Sequence, residues 1–136
     1  MIERAAFTRV TGHALSALLI AFMLFDAGAK LVPLDVVIRS TAELGYPATP
    51  ALARTLGVVG LVCTALYAFP RTAVLGAILL TAYMGGAIAT HVRVGSPLFS
   101  HVLFGVYLAI IGWGGLFLRD GRIRALLPLR SPAGET

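Results

Sequence analysis

Four long apolar runs, Val10 to Val32, Ala51 to Phe69, Thr72 to Val92 and Leu98 to Leu118, take up most of the chain and decide what it can become. A membrane-spanning helix needs about 20 predominantly apolar residues, and each run is long enough to cross with some tilt. None shows the broad polar face of a helix that lies on a surface. Lipid offers backbone amides no partner, so each span must bond within its own segment, which leaves helices rather than isolated strands. The reading is an all-α integral membrane protein, a four-helix up-and-down bundle. In a chain of 136 residues four spans leave room only for short connections, so residues 1–136 form a single four-span membrane domain. Charged residues make up 12% of the chain, about half of what a soluble domain carries. An ordinary soluble enzyme, a disordered protein and a second domain are all excluded. The lone Cys63 excludes a disulfide scaffold, a CxxC redox centre and a thiolate metal cluster.

Basic residues in the flanks set the orientation. With four spans, both termini and the second connection share one side. That side holds Arg4, Arg9, Arg71, Arg119, Arg122, Arg124 and Arg130, against Lys30, Arg39, Arg54 and Arg93 on the other. The excess places both termini in the cytoplasm. Residues 119–136 are then a basic cytoplasmic tail. Its Arg119 to Leu127 stretch suits anionic headgroups, at about 1 kcal/mol per basic residue. No nucleic-acid-binding signature accompanies the charge, so nucleic acid is not an expected partner. The first run also fits a signal peptide, with Arg4 and Arg9 as its charged region and Ala27-Gly28-Ala29 as its cleavage site. Asp26 and Lys30 sit awkwardly for that reading, and the run is kept as a span.

The connections carry their own patterns. Leu34, Val37, Ile38, Thr41 and Leu44 form one stripe and Asp35, Arg39 and Glu43 another, which predicts a short interfacial helix between the first two spans. Gly45-Tyr46-Pro47 ends it, with Tyr46 at headgroup level. Phe69-Pro70-Arg71 is a tight hairpin, and Ser96-Pro97 reads as an N-cap followed by a proline in the first helical position. On the third span Ala73, Ala77, Thr81, Gly85 and Ala89 recur every four residues. Such a stripe lets another backbone approach closely and fits either packing within the monomer or a homodimer face.

Topology yields the candidate site. Spans one and three end on the outer side, where spans two and four begin. Asp26, Lys30, Arg54, His91, Arg93 and His101 therefore gather in the outer half of the bundle, while only His13 lies at comparable depth in the inner half. Ionisable residues within spans are expensive and point to function by default. Asp26, His101 and His91 are the candidate catalytic residues, and Lys30, Arg93, Tyr83 and Thr90 the candidate ligand-binding ones. Each has a structural alternative. Asp26 and Lys30 stand i,i+4 in the favourable order and can neutralise each other while Lys30 snorkels outward. His91 and Arg93 can serve the last carbonyls of their helix. Neutral His101 can both donate and accept a hydrogen bond.

Cofactor patterns are sparse. A haem between His91 and His101 has no other feature behind it, and zinc needs three or four ligands in tetrahedral array; neither is expected. Ser100, His101 and Asp26 supply the residue types of a hydrolytic triad, but adjacent serine and histidine rarely share the needed geometry. A redox role therefore depends on a bound quinone or on a partner subunit that carries the electrons.

Leu24-Phe25-Asp26-Ala27-Gly28-Ala29-Lys30-Leu31 and Leu44-Gly45-Tyr46-Pro47 resemble the first span and loop of DoxX-like membrane proteins. The stretch Pro70 to Leu80, the segment Ala89-Thr90-His91-Val92-Arg93-Val94-Gly95-Ser96-Pro97-Leu98-Phe99-Ser100-His101 and the ending Leu118 to Pro128 are similar to the same family. The resemblance implies a compact four-helix protein of the bacterial inner membrane. It also implies a link to quinone handling, since the family takes its name from a subunit of a thiosulfate:quinone oxidoreductase. The expected function is a polar site in the outer half that binds a quinone or another hydrophobic small molecule in a redox-linked role. Two readings stand beside it, because fold alone does not choose a chemistry. One is a non-catalytic module for lipid or a partner subunit; the other is an isomerase or hydrolase acting on a lipid-like substrate.

Overall fold

The structure, a computed structural model, describes residues 2–126, so Leu127, Pro128 and Arg130 of the basic tail fall outside the described residues. The chain folds as α1 (Ile2–Leu31), α2 (Asp35–Glu43), α3 (Pro50–Ala68), α4 (Ala73–Arg93), α5 (Phe104–Arg119) and α6 (Gly121–Leu126), with a π-helical turn at Leu98–Val102 leading into α5. Four helical stretches are long and apolar enough to cross a membrane: Glu3–Leu31, Pro50–Ala68, Ala73–Arg93 and Leu98–Arg119. These coincide with the four apolar runs, except that α1 begins at Ile2 rather than Val10. Thr8 sits inside that extra length and Thr11 just beyond it, their hydroxyls bonded back to the Arg4 and Phe7 carbonyls at 2.8 and 2.9 Å. Helix α1 packs along α3 and α5, and α4 packs along the same two helices. The bundle is therefore a ring of antiparallel neighbours in which α1 and α4 stand diagonally opposed.

The two ends of this ring differ. At the end that carries the start of α1 and the finish of α5, hereafter the terminal end, the core closes around Tyr67, whose exposure is 0%. The Tyr67 hydroxyl donates to the Gly112 carbonyl at 2.8 Å and accepts from Ser16 Oγ at 2.9 Å. One phenol thus ties α1, α3 and α5 together, and the Arg119 guanidinium lies 5.6 Å from its ring centroid. Backbones approach closely here because glycines allow it. A Cβ on Gly76 would overlap the Tyr67 main chain, and one on Gly12 would come within 2.9 Å of the Gly115 carbonyl. Leu19, Met23, Leu80 and Leu116, each 2% exposed, fill the space around this seam. Van der Waals packing of this kind holds spans together where lipid removes the hydrophobic driving force between helices.

At the other end α2 lies across the bundle between the first two spans, where its amphipathic pattern predicts an interfacial helix. Thr41 is buried and Val37 and Ile38 are half-buried, while Asp35 and Arg39 are exposed. Gly45, at φ +81°, ends the helix in the left-handed region that side-chain-bearing residues avoid.

One local expectation, the Ser96 cap, is corrected, and two others become specific. The small-residue stripe divides: Ala73 and Ala77 are buried, whereas Thr81, Gly85 and Ala89 are exposed. Its first half serves packing within the chain; its second half faces away from the bundle, apart from the indole N–H that Trp113 donates to Thr81 at 2.9 Å. Ser96 is not an N-cap, because its hydroxyl is bonded to His91 Nδ1 at 3.0 Å and Pro97 occupies the cap position with no side-chain bond. The basic stretch after Leu118 is partly a capping device. Asp120 accepts the Arg122 amide at 2.9 Å, and Arg124 turns back to the Phe117 and Leu118 carbonyls at 3.0 and 3.1 Å. Those carbonyls are among the last four of α5, which have no partner inside the helix.

Candidate functional site

Beneath α2 lies a cavity of about 780 Å³, a size within the usual range for small-molecule sites. Its walls come from α1, α2, α3, α4 and the π-helical turn. Six of the seven residues singled out from the sequence line it: Asp26, Lys30, Tyr83, Thr90, His91 and His101. They sit far apart along the chain and meet because the antiparallel path returns each helix end to one level.

On α1 the i,i+4 spacing puts Asp26 and Lys30 on one face, where they form an ion pair. The lysine does not snorkel outward. Its ammonium reaches across the diagonal to the Tyr83 hydroxyl at 3.3 Å, and Tyr83 in turn donates to the Leu56 carbonyl at 3.4 Å. A charged group under this roof gains more from a phenol and a carboxylate than from an exposed position in an apolar layer.

His91 closes α4 and His101 sits in the π-helical turn, their ring centroids 5.5 Å apart with planes at 62°. Each engages a serine through Nδ1, His91 with Ser96 at 3.0 Å and His101 with Ser100 at 2.8 Å. Among the described residues Nε2 of neither ring has a hydrogen-bond partner. The Ser100 and His101 side chains do meet, through their 2.8 Å bond. It uses Nδ1, however, and Asp26 is committed to Lys30, so no serine–histidine–aspartate relay is assembled. Among the described residues no group of three or more histidine, cysteine, aspartate or glutamate side chains could hold a metal ion.

Arg93 is not part of the lining. Its guanidinium donates to the Leu44 carbonyl at 2.7 Å and fastens the end of α2 to the end of α4. Arg54 and His13 are exposed and outside the cavity. The sequence reading missed the contribution of the roof, where Val37, Ser40, Thr41, Glu43, Leu44 and Tyr46 all line the cavity. Tyr46 donates to Thr90 Oγ1 at 3.1 Å, and Thr90 donates onward to the Gly86 carbonyl at 2.9 Å. The amphipathic stripe of α2 marks a covering face, but nothing in its pattern says what lies underneath. Apolar wall is supplied by Leu56, Ala82, Gly86 and Ala87.

Fold and cavity together define a class: small all-helical membrane proteins, closed at one end of the bundle and hollow, with a polar lining, at the other. The sequence model of the DoxX-like family matches residues 14–115, from α1 to the Gly115 seam of α5, and the chain belongs to that family. No curated protein and no solved structure matches it.

Proposed function

We propose that the cavity binds a quinone-class molecule, a compact ring bearing hydrogen-bond acceptors, in a redox-linked role. The observation that carries this reading is the gathering of Asp26, Lys30, Tyr83, His91 and His101 around one space of about 780 Å³ in an otherwise apolar bundle. Ring carbonyls are acceptors only, and the lining supplies donors in its two imidazoles and the Lys30 ammonium. His91 and His101 suit proton exchange with a ring oxygen that gains or loses electrons, since an imidazole can both donate and accept through its ring nitrogens. Asp26 keeps the Lys30 charge in place beside them. The electrons come from a separate donor or partner subunit. The charge asymmetry of the flanks supports termini in the cytoplasm of a bacterial membrane, with the cavity toward the opposite face.

The reading is tested by titrating the purified protein in lipid nanodiscs with a decyl-substituted benzoquinone, for wild type and His101→Ala. We expect saturable binding by wild type and a loss of about tenfold, or 1.4 kcal/mol, in the variant. Absence of binding, or equal binding by both proteins, overturns it.

A further inference from the structure

We infer that the ligand carries a linear apolar tail and reaches the cavity sideways, through a window between α3 and α4. This rests on the reading of the cavity as a ligand site and adds the class of ligand and its path. The roof is fastened to the end of α4: Arg93 holds the Leu44 carbonyl at 2.7 Å, and Tyr46 holds Thr90 at 3.1 Å. On the α1–α5 flank Phe22 and Phe104 stack edge to face, with centroids 5.3 Å apart. The cavity wall instead continues around α4 through Tyr83, Thr90, Gly86 and Ala82, of which Gly86 and Ala82 are exposed on the outer surface of the bundle. Beside them the Tyr83 hydroxyl, bonded to the Leu56 carbonyl at 3.4 Å, ties α4 to α3 and marks the edge of the window. A Cβ placed on Gly86 meets nothing within 4 Å.

Depth decides what passes there. Gly86 precedes Arg93, the last residue of α4, by seven residues, which is about 10 Å along the helix axis. The window therefore opens below the helix ends, within the apolar span, and looks onto acyl chains rather than water. A polar head inside the cavity and an alkyl or isoprenoid tail lying out through the window would satisfy both environments at once. A tail-less ring would leave the apolar sill of Ala82 and Gly86 uncovered.

The test compares the decyl-substituted benzoquinone with the same benzoquinone lacking its alkyl chain, on protein in nanodiscs. The proteins are wild type, Gly86→Trp and Gly85→Trp. Gly85 neighbours Gly86, is equally unobstructed and does not line the cavity, so its variant controls for the bulky ring itself. We expect wild type to bind the tailed quinone at least about tenfold more tightly than the tail-less one. Gly86→Trp should slow association of the tailed quinone about tenfold more than that of the tail-less one, while Gly85→Trp changes neither. If wild type binds both quinones and Gly86→Trp behaves as Gly85→Trp does, the window is wrong and the cavity reading survives. If wild type binds neither, both fall.

Discussion

At the terminal end of the bundle α4 presses Gly76 against the Tyr67 main chain, whereas about three turns further along the same helix Gly85 and Gly86 face open space. The residue type is the same and the helix is continuous, yet one glycine lets two backbones touch and the others leave room. In the first region the polar groups are few and tightly packed: Ser16 bonds Tyr67 and Tyr67 bonds Gly112, while Arg119 Nε and Nη2 are buried with no hydrogen-bond partner among the described residues. In the second they are many, and several point into a cavity. The lesson is that a chain of this size concentrates its packing at one end and is thereby free to keep the other end hollow.

The sharpest way to break this contrast is Gly76→Leu, for which overlap with the Tyr67 backbone should cost more than about 3 kcal/mol or abolish folding. Unfolding of the purified protein by added denaturing detergent reads it directly, and a near-neutral result would show the seam to be looser than described. Next comes Tyr67→Phe, which removes a donor from Gly112 and an acceptor from Ser16. A loss of about 1 to 2 kcal/mol is expected, with binding at the far end unchanged within about twofold. Asp26→Asn and Lys30→Met, combined in a double-mutant cycle, should show a coupling of about 1 kcal/mol in stability, modest because the pair is only partly buried. Unlike Tyr67→Phe, either single change should also weaken quinone binding. The smallest effect belongs to Gly86→Ala, expected to be neutral or to raise stability by about 0.5 to 1 kcal/mol through helix propensity. The same glycine-to-alanine change at position 76 should go the other way, which makes the pair a direct test of the two environments.

The sequence displays the fold more openly than the site. Span number, antiparallel order and α2 follow from run length and from one amphipathic stripe, both of which survive any detail of packing. The level of each polar residue follows as well, because depth depends only on position within a span. Azimuth does not. These spans are apolar nearly all round, so periodicity gives no direction for Arg93, which turns to the Leu44 carbonyl instead of the cavity, or for Lys30, which turns inward to Tyr83. Tyr67 was equally hidden: one tyrosine among apolar neighbours carries no sign that its hydroxyl joins three helices. Its signature lies in Gly76 and Gly112, far along the chain, and becomes readable only once those helices are adjacent. Glu43 and Tyr46 carry no sign of the cavity in the sequence because they belong to the roof, whose underside is set by tertiary placement alone.

The π-helical turn separates two design problems. The Val102 and Leu103 amides bond to the Pro97 and Leu98 carbonyls, five residues back, at 3.2 and 2.9 Å, so the winding absorbs one surplus residue before α5 resumes its ordinary pitch. A single residue corresponds to about 100° of helix rotation. The bearing of His101 is therefore clocked separately from that of Gly112 and Gly115, which form the seam with α1. A one-residue deletion in Leu98–Val102 would swing the imidazole off target while the glycine seam stayed in register. Insertion or deletion at that spot would re-aim His101 without disturbing how the bundle holds together.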